Sequence, residues 1–303
     1  MKHQGIFIPD AQAALGFVTH QRSHIEAEVL QVQYPEITYS QMIPVDTSAA
    51  DYAPSVTFFS QDSQGQAKFI NGKADDIPTV NMTENKFEQT VHMAAIAYSF
   101  SLEEIGAAQQ MGRNLSSDGA DAATRASEQL ADELAFVGNA QLGTEGIYNT
   151  TGIQSVASAG LFSALTPDQI LTEINDLIGG ILSATKQIDM PNVCHMPIAV
   201  FTDISSRRIP DTNMTILEFL QRSNAYTATT GQQMEFRGTH RLTTSLVMYR
   251  RDPQVVKMHM PMPLQFIAPQ AAGLEIVVHG MMRIAPPSIR RPGAFRYLTG
   301  VAS

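Results

Sequence analysis

The sequence predicts an α+β protein whose helices and sheet are partly segregated. Three stretches carry that reading. Ser101 to Asn139 has no proline and repeats apolar residues at steps of three or four: Leu102, Ile105, Ala108, Met111 and Leu115, then Ala123, Ala126, Leu130, Leu134 and Val137. That spacing gathers side chains on one face of a helix. Met42 to Phe100 is strand-like around a long polar connection, and short strand-like runs recur from Leu242 to the end.

Taken in order, residues 1–41 are weakly periodic and read as an arm that gains order from contacts elsewhere. Residues 42–100 hold β-formers at Ser55 to Phe59 and an alternating run from Thr90 to Phe100, expected to pair with each other. Between them Gln61 to Glu88 is polar, with Asp62, Gly65, Gly72, Asp75-Asp76 and Pro78. Loops inside a compact domain are mostly shorter than about 12–15 residues. Lys68-Phe69-Ile70 and Thr79-Val80-Asn81 are therefore expected to pair, forming a two-stranded finger. Such a ribbon is marginal alone in water and should lie on something else.

The long helix opens on a capping box, Ser101 with Glu104, and stops at Gly138-Asn139. Unbroken, it would span about 60 Å, although Gly106, Gly112 and Gly119 are places to kink or split it. A glycine-punctuated turn follows, Gly143 to Asn149 and Gly152-Ile153, anchored by Ile147 and Ile153. Thr166-Pro167 opens a second helix as N-cap and first residue, with an apolar face of Ile170, Leu171, Ile174, Leu177, Ile178, Ile181 and Leu182. Pro197 to Phe201 reads as a buried strand whose following turn is capped by Thr202 or Asp203, and Thr215 to Arg222 as a short helix. Leu242–Tyr249, Val255–Met258, Leu264–Ile267, Leu274–His279, Met281–Ile284 and Ala294–Val301 read as strands, with Gly280 a bulge.

Composition narrows the function. At 303 residues there is room for one large or two modest domains, and 16% charged residues is low against a usual ~25%. Low charge, 15 Met and no Trp suggest that much nominal surface is covered by neighbours. The single cysteine, Cys194, excludes an internal disulfide and fits a reducing compartment. Neither a signal peptide nor a membrane span is visible. From Arg250 onward seven basic residues face Asp252 and Glu275, a net +5, so Met1 to Tyr249 carries −14 of the total −9. A basic end and an acidic body on one chain suit association between copies, and the acidic total argues against a sequence-reading nucleic-acid binder.

No catalytic constellation emerges. The histidines form no HxH or HExxH pair, and adjacent Cys194-His195 do not aim at one metal. GxGxxG, GxxxxGK[ST] and GxSxG are absent. Asp118, Asp121, Asp132 and Glu133 read as a solvated helix face, as does Asp75-Asp76 in its loop. Met258-His259-Met260-Pro261-Met262 has copper-like composition but reads as core. No catalytic residue, cofactor or metal is expected.

The order of parts is more informative. Ile43-Pro44-Val45-Asp46-Thr47, Asp75-Asp76-Ile77-Pro78, Glu133 to Asn139, Gly143 to Asn149 and Arg283 to Phe295 together resemble a tailed-bacteriophage major capsid protein of the HK97-type fold. The resemblance covers nearly the whole chain. It implies an N-terminal arm over 1–41 and an extended β loop with flanking strands over 42–100. The spine helix and turn of the peripheral domain would cover 101–151, an axial domain 152–258, and return strands with a C-terminal strand 259–303. It also implies self-assembly into hexamers and pentamers of an icosahedral shell around double-stranded DNA, without sequence-specific binding. Portal is an expected partner, a scaffold or decoration protein a possible one, and any scaffold would be encoded separately. The virion, assembled in the host bacterial cytoplasm, is the implied location, with no membrane. Some members crosslink a loop lysine to an asparagine of another subunit. Lys68 and Lys73 are suitably placed, but no asparagine or activating carboxylate can be matched, so no crosslink is expected. On the helix, Glu128 and Asp132 belong to an acidic face expected to meet a neighbour's Arg290 and Arg291. The competing readings are an encapsulin-like compartment shell and a cytosolic enzyme with dispersed site residues.

Overall fold

A computed structural model describes residues 36–69, 79–111 and 115–302. Most of the expected arm, Lys73 and the Asp75-to-Pro78 part of the finger lie outside the described residues. Within the unit Ile37–Ser303, a single helical turn α1 (Tyr39–Met42) opens the fold. Tyr39, Met42 and Ile43 are buried, so this end of the expected arm is core. The short strand β1 (Val45–Asp46) follows.

The finger differs from expectation. Strand β2 (Ser55–Gln64) pairs antiparallel with β3 (Asn81–Thr90), from Ser55↔Thr90 to Gln64↔Asn81. The ribbon is thus longer than expected, and of the expected partner Thr90 to Phe100 only Thr90 pairs with Ser55 to Phe59. The physical reason sits at Val91, which is buried and gives its N–H to Pro54 O at 2.9 Å. That bond closes the ribbon's base and releases β4 (His92–Ser101) toward a different partner.

Ala94, Ile96, Tyr98 and Phe100 of β4 are the less exposed alternate set. The capping box at its end is present: Ser101 N–H donates to Glu104 Oε2 (2.9 Å), and Glu104 N–H donates to Ser101 Oγ (3.2 Å). It starts α2 (Leu102–Met111), and α3 (Leu115–Phe136) continues the spine. Gly119 does not end α3. A β-carbon there would lie 2.7 Å from the Phe100 ring and 2.8 Å from Tyr98, so the glycine lets helix and strand approach. The buried face of α3 is Ala123, Ser127, Ala131, Leu134 and Ala135. It is rotated from the expected stripe, whose Ala126, Leu130 and Val137 are exposed.

Gly138, at φ +81°, ends the spine. Strands β5 (Gly138–Asn139) and β6 (Thr144–Glu145) form a small hairpin. Asn149 closes the turn, donating Nδ2–H to Val137 O and accepting Gly146 N–H, both at 2.7 Å. Ile147 is fully buried and Ile153 packs against the same core, as expected of anchors.

Strand β7 (Ser155–Ala157) precedes α4 (Pro167–Ala184), whose Thr166–Gln169 capping box is complete. The buried side of α4 is Ile170, Ile174, Leu177, Ile178 and Ile181, with Leu171 and Leu182 partly buried. The next strand is displaced from its expected place: β8 is Val193–Pro197, and Ile198–Ser206 is helix α5. Val200 and Ile204 are buried one helical turn apart while Ile198 stays exposed, a helical rather than strand pattern. Helices α6 (Ile216–Ser223, capped by Thr215) and α7 (Ala225–Thr230, capped by Asn224) follow.

Then come β9 (Glu235–Thr239), β10 (Ser245–Tyr249), β11 (Val256–His259), β12 (Met262–Phe266), β13 (Gln270–Ala272), β14 (Glu275–Ile284), β15 (Ser288–Ile289) and β16 (Phe295–Thr299). Strand β14 pairs with β4 without interruption through Gly280↔Ile96. The expected bulge is therefore absent from β14; the register shift lies in its other partner, between Met262 and Gln265. Gly280 instead leaves room for the Phe266 ring, 2.9 Å from where its β-carbon would stand.

A five-stranded sheet in the order β7-β16-β10-β8-β9 organises the unit. Side chains alternate across a strand, and here each face feeds a different core. Val193, Val247, Tyr249 and Phe295 join Tyr39, Met42, Phe136 and Ile147 on one side. Cys194, Met196, Leu246, Met248 and Leu298 join the α4 face on the other. The last strand, β16, thus sits in a sheet otherwise drawn from residues 155–249.

Candidate assembly surfaces

The residues with chemical potential are placed as core. Cys194 and His195, neighbours in β8, face opposite sides of the sheet, and burial pushes the Cys194 thiol up. His195 Nδ1 lies 2.6 Å from Tyr148 Oη and Nε2 lies 3.1 Å from Met42 S. Burial, then the cations Arg237 and Arg251, push the imidazole down to about 3, so it is neutral at ordinary pH. Met258, Met260 and Met262 are buried. Among the described residues no three His, Cys, Asp or Glu side chains are grouped to hold a metal. No helix there is long and apolar enough to cross a membrane.

Asp132 corrects the solvated-face reading. It is 2% exposed, and its Oδ1 accepts the backbone N–H groups of Thr38 and Tyr39, each at 2.9 Å. Arg241 Nη2 donates to Oδ2 at 2.7 Å. Glu128, one turn earlier, accepts the Tyr39 hydroxyl at 2.8 Å, and burial together with that carboxylate pushes the phenol up. These two carboxylates tie the segment entering the unit to the spine. Local sequence carries no signal for the Arg241 partnership, which spans 109 positions.

Arg290 and Arg291 also have partners within the chain. The Arg291 guanidinium shares buried Asp189 with Arg250 (3.2 and 3.1 Å). The Arg290 guanidinium lies 4.8 Å from the centre of the Phe58 ring at the finger's base, a cation–π contact. Both arginines thus make contacts within the subunit. Lys68 lies in the exposed outer part of the finger; Lys73 lies outside the described residues.

Several exposed apolar side chains lie on the otherwise polar finger. On one face of the ribbon's root Phe58 stacks on Phe87 with ring centres 5.2 Å apart, Phe58 lying under Arg290 and Phe87 staying 48% exposed. The opposite face carries Phe59, 61% exposed, and Met82, 70% exposed. Val80 and Phe69 are exposed nearer the tip. A second open surface is the outer face of the β4–β14 pair, where exposed Met93, Ala95, Ala97 and Ser99 alternate with the inward set. Exposed apolar side chains rimmed by polar ones mark surfaces that another protein covers.

Residues 65–301 match the family model described as major capsid protein. Among solved structures, the chain is similar to the capsid of Myoviridae phage XM1, with a TM-score of 0.79 at 19% identity, covering 98% of this chain and 100% of that one. A structure of Mycobacterium phage Ogopogo matches with a TM-score of 0.61 at 15% identity over 93% and 98% of the two chains. A virus-like particle from Pyrococcus furiosus matches with a TM-score of 0.56 at 13% identity over 86% and 91%. At these identities the likeness is one of fold. Among curated proteins no sequence matches.

Proposed function

The chain belongs to the major capsid protein family and has the HK97-type capsid fold, and from that premise we propose that its copies form the icosahedral shell of a tailed bacteriophage. Hexamers and pentamers of the subunit enclose double-stranded DNA without reading its sequence. The virion is then its final location and the host bacterial cytoplasm the place of assembly. The observation that carries the reading is end-to-end agreement of the fold with a phage capsid chain, 98% against 100%.

In this reading the finger lies over a neighbouring subunit, which supplies the third layer that a two-stranded ribbon lacks. Exposed Phe59 and Met82 form its contact face. The axial part packs around five-fold and six-fold centres, in the heterologous contacts that closed symmetry repeats. Portal, and any scaffold or decoration protein, are further partners that the family reading brings.

Negative-stain microscopy of the expressed protein tests the assembly. Hexamers, pentamers or shells are expected, and a stable, fully active monomer refutes the capsid reading. Shells that hold protein cargo and no DNA would point to an encapsulin-like compartment. Boiled particles are expected to run as one band near 33.0 kDa; a ladder of higher bands would overturn the absence of a crosslink. Charge reversal at Arg290 and Arg291 tests whether they also meet the acidic helix face of another copy. Unaltered assembly at low salt removes that contact.

A further inference from the structure

Strand β4 is an open edge of its sheet. On one side it pairs with β14 along its whole length, from His92↔Ile284 to Ser101↔Glu275, with no shift of register. Among the described residues no strand lies on its other side. In an antiparallel strand a residue's N–H and C=O point the same way, and successive residues point opposite ways. Leu102 N–H reaches Leu274 O at 3.0 Å, so the even-numbered residues are the ones that bond β14. Met93, Ala95, Ala97 and Ser99 therefore turn their N–H and C=O groups outward. Ser101 shares that direction, and its N–H is already taken by Glu104 Oε2.

The lane beside these four residues has defined ends. Val91, of the same parity, donates its N–H to Pro54 O at 2.9 Å. Strand β2 thus holds this side of the chain as far as Pro54, where the backbone comes out of a turn closed by Ala53 N–H on Ala50 O. At the far end stands the Ser101–Glu104 cap. Between the two, Met93 to Ser99 is about 23 Å of extended backbone.

Edges that stay open in a free-standing protein are blunted by lysine, proline, a bulge or an inward charge. Met93 to Ser99 has none of these. Its outward residues are uncharged, so a polyanion finds nothing there to pair with. The inner flank is unfinished as well: Ala94, Ala95 and Ile96 line a cavity of about 70 Å³ together with Ala126 and Leu130 of the spine, and Leu130 is 38% exposed. An extended segment with alternate apolar residues suits such an edge. Under the shell reading proposed above, what lies beside a subunit is another copy of the chain.

We propose that the Met93–Ser99 edge accepts an extended strand from a second copy of the chain, continuing the β4–β14 sheet across the subunit boundary. The inference rests on the shell reading. Recognition here is by main-chain hydrogen bonds, so it survives small side-chain changes at the edge and is lost when an outward N–H is removed.

Hydrogen exchange read by mass spectrometry, comparing dilute subunits of the full chain with assembled shells, tests it. On assembly, exchange at Met93, Ala95, Ala97 and Ser99 should slow roughly tenfold or more, while the even-numbered amides, already bonded to β14, are slow in both. Ala97→Pro removes one outward N–H and nothing from the β14 ladder, as an edge strand allows. Its subunit should keep the wild-type urea midpoint and form no shells, whereas Ala97→Ser, which keeps the N–H, should assemble. Normal shells from Ala97→Pro, or His92–Ser101 peptides that exchange alike in subunits and shells, overturn the proposal. Full protection of the four amides in dilute monomers overturns it too, because the edge is then covered within the chain. So does protection that appears only when a different protein is added. Should Ala97→Pro not fold, the wild-type comparison decides alone. A wild-type chain that stays monomeric at every concentration refutes the shell reading and this contact together; shells with an unprotected edge refute this contact only.

Discussion

Replacing Asp132 with alanine is expected to destabilise the subunit by about 3–5 kcal/mol, the range for removing one partner of a buried ion pair. The magnitude follows from what is left behind. Asp132 is 2% exposed and Arg241 19% exposed at the side chain, so the guanidinium loses its counter-ion while still largely shielded from water. Two backbone donors, Thr38 and Tyr39 N–H, lose a charged acceptor, a bond of about 1.5–3 kcal/mol each when fully formed and buried. Those losses overlap and partly relax, so they are not summed. The chain has no Trp, so far-UV circular dichroism in urea is the natural assay. With a urea slope on the order of 3 kcal/mol/M, the midpoint should fall by roughly 1–1.7 M. Asp132→Asn should cost about half as much, since its amide oxygen can still accept the two N–H groups while its amide nitrogen meets Arg241. Adding Arg241→Met to Asp132→Asn should recover part of that loss, with a coupling energy of about 1–3 kcal/mol. If Asp132→Ala costs less than about 1 kcal/mol, as a surface carboxylate would, the anchoring argument is wrong.

Two spine glycines should respond in opposite directions. Gly106 has open space where a β-carbon would go, and Gly106→Ala should stabilise by up to about 1 kcal/mol; Gly119→Ala meets Tyr98 and Phe100 and should cost about 1–3 kcal/mol in the same urea assay. The depressed pKa of His195, about 3, makes the unfolded chain bind the extra proton between that value and ~6.5. Its contribution is therefore complete above ~6.5 and is lost as pH falls toward 3, up to on the order of 4–5 kcal/mol; a urea midpoint unchanged between about pH 7 and about pH 4 would contradict it. Phe59→Ser with Met82→Ser should leave subunit stability within about 0.5 kcal/mol yet block shell formation in the microscope. Normal shells from that double variant would remove the exposed ribbon face from the assembly contact.

The elements legible in the sequence are those whose cause is local. The Ser101–Glu104 and Thr166–Gln169 capping boxes each need only four residues, and both form. The α4 face obeys a strict helical period, so its buried residues could be named. Where the deciding cause is a distant partner, local sequence does not carry it. Thr90 to Phe100 looks like one strand until Val91 bonds Pro54 and divides it between the ribbon and β14. Pro197 to Phe201 has strand-like composition, yet Val200 and Ile204 are buried at helical spacing. Asp132 sits among charged residues on a helix, and only the fold brings Arg241 and the Thr38-Tyr39 backbone to it.

The basic end and acidic body of the sequence also meet within the subunit. Of the seven basic residues from Arg250 onward, Arg250 and Arg291 bond Asp189, Arg251 bonds Glu235, and Lys257 bonds Asp46. Arg296 donates to Gln154, and Arg290 lies on Phe58. Four of the seven, Arg250, Arg251, Lys257 and Arg291, are thus paired with carboxylates from earlier in the same chain. That consumes charge where the subunit must hold its own shape. A contact built from apolar side chains and ribbon backbone is weakly screened by salt, whereas one built from exposed arginines and helix carboxylates weakens as ionic strength rises. The ribbon face that carries Phe59 and Met82 also carries Lys86 and Glu84, so a contact built on it should keep part of its salt dependence.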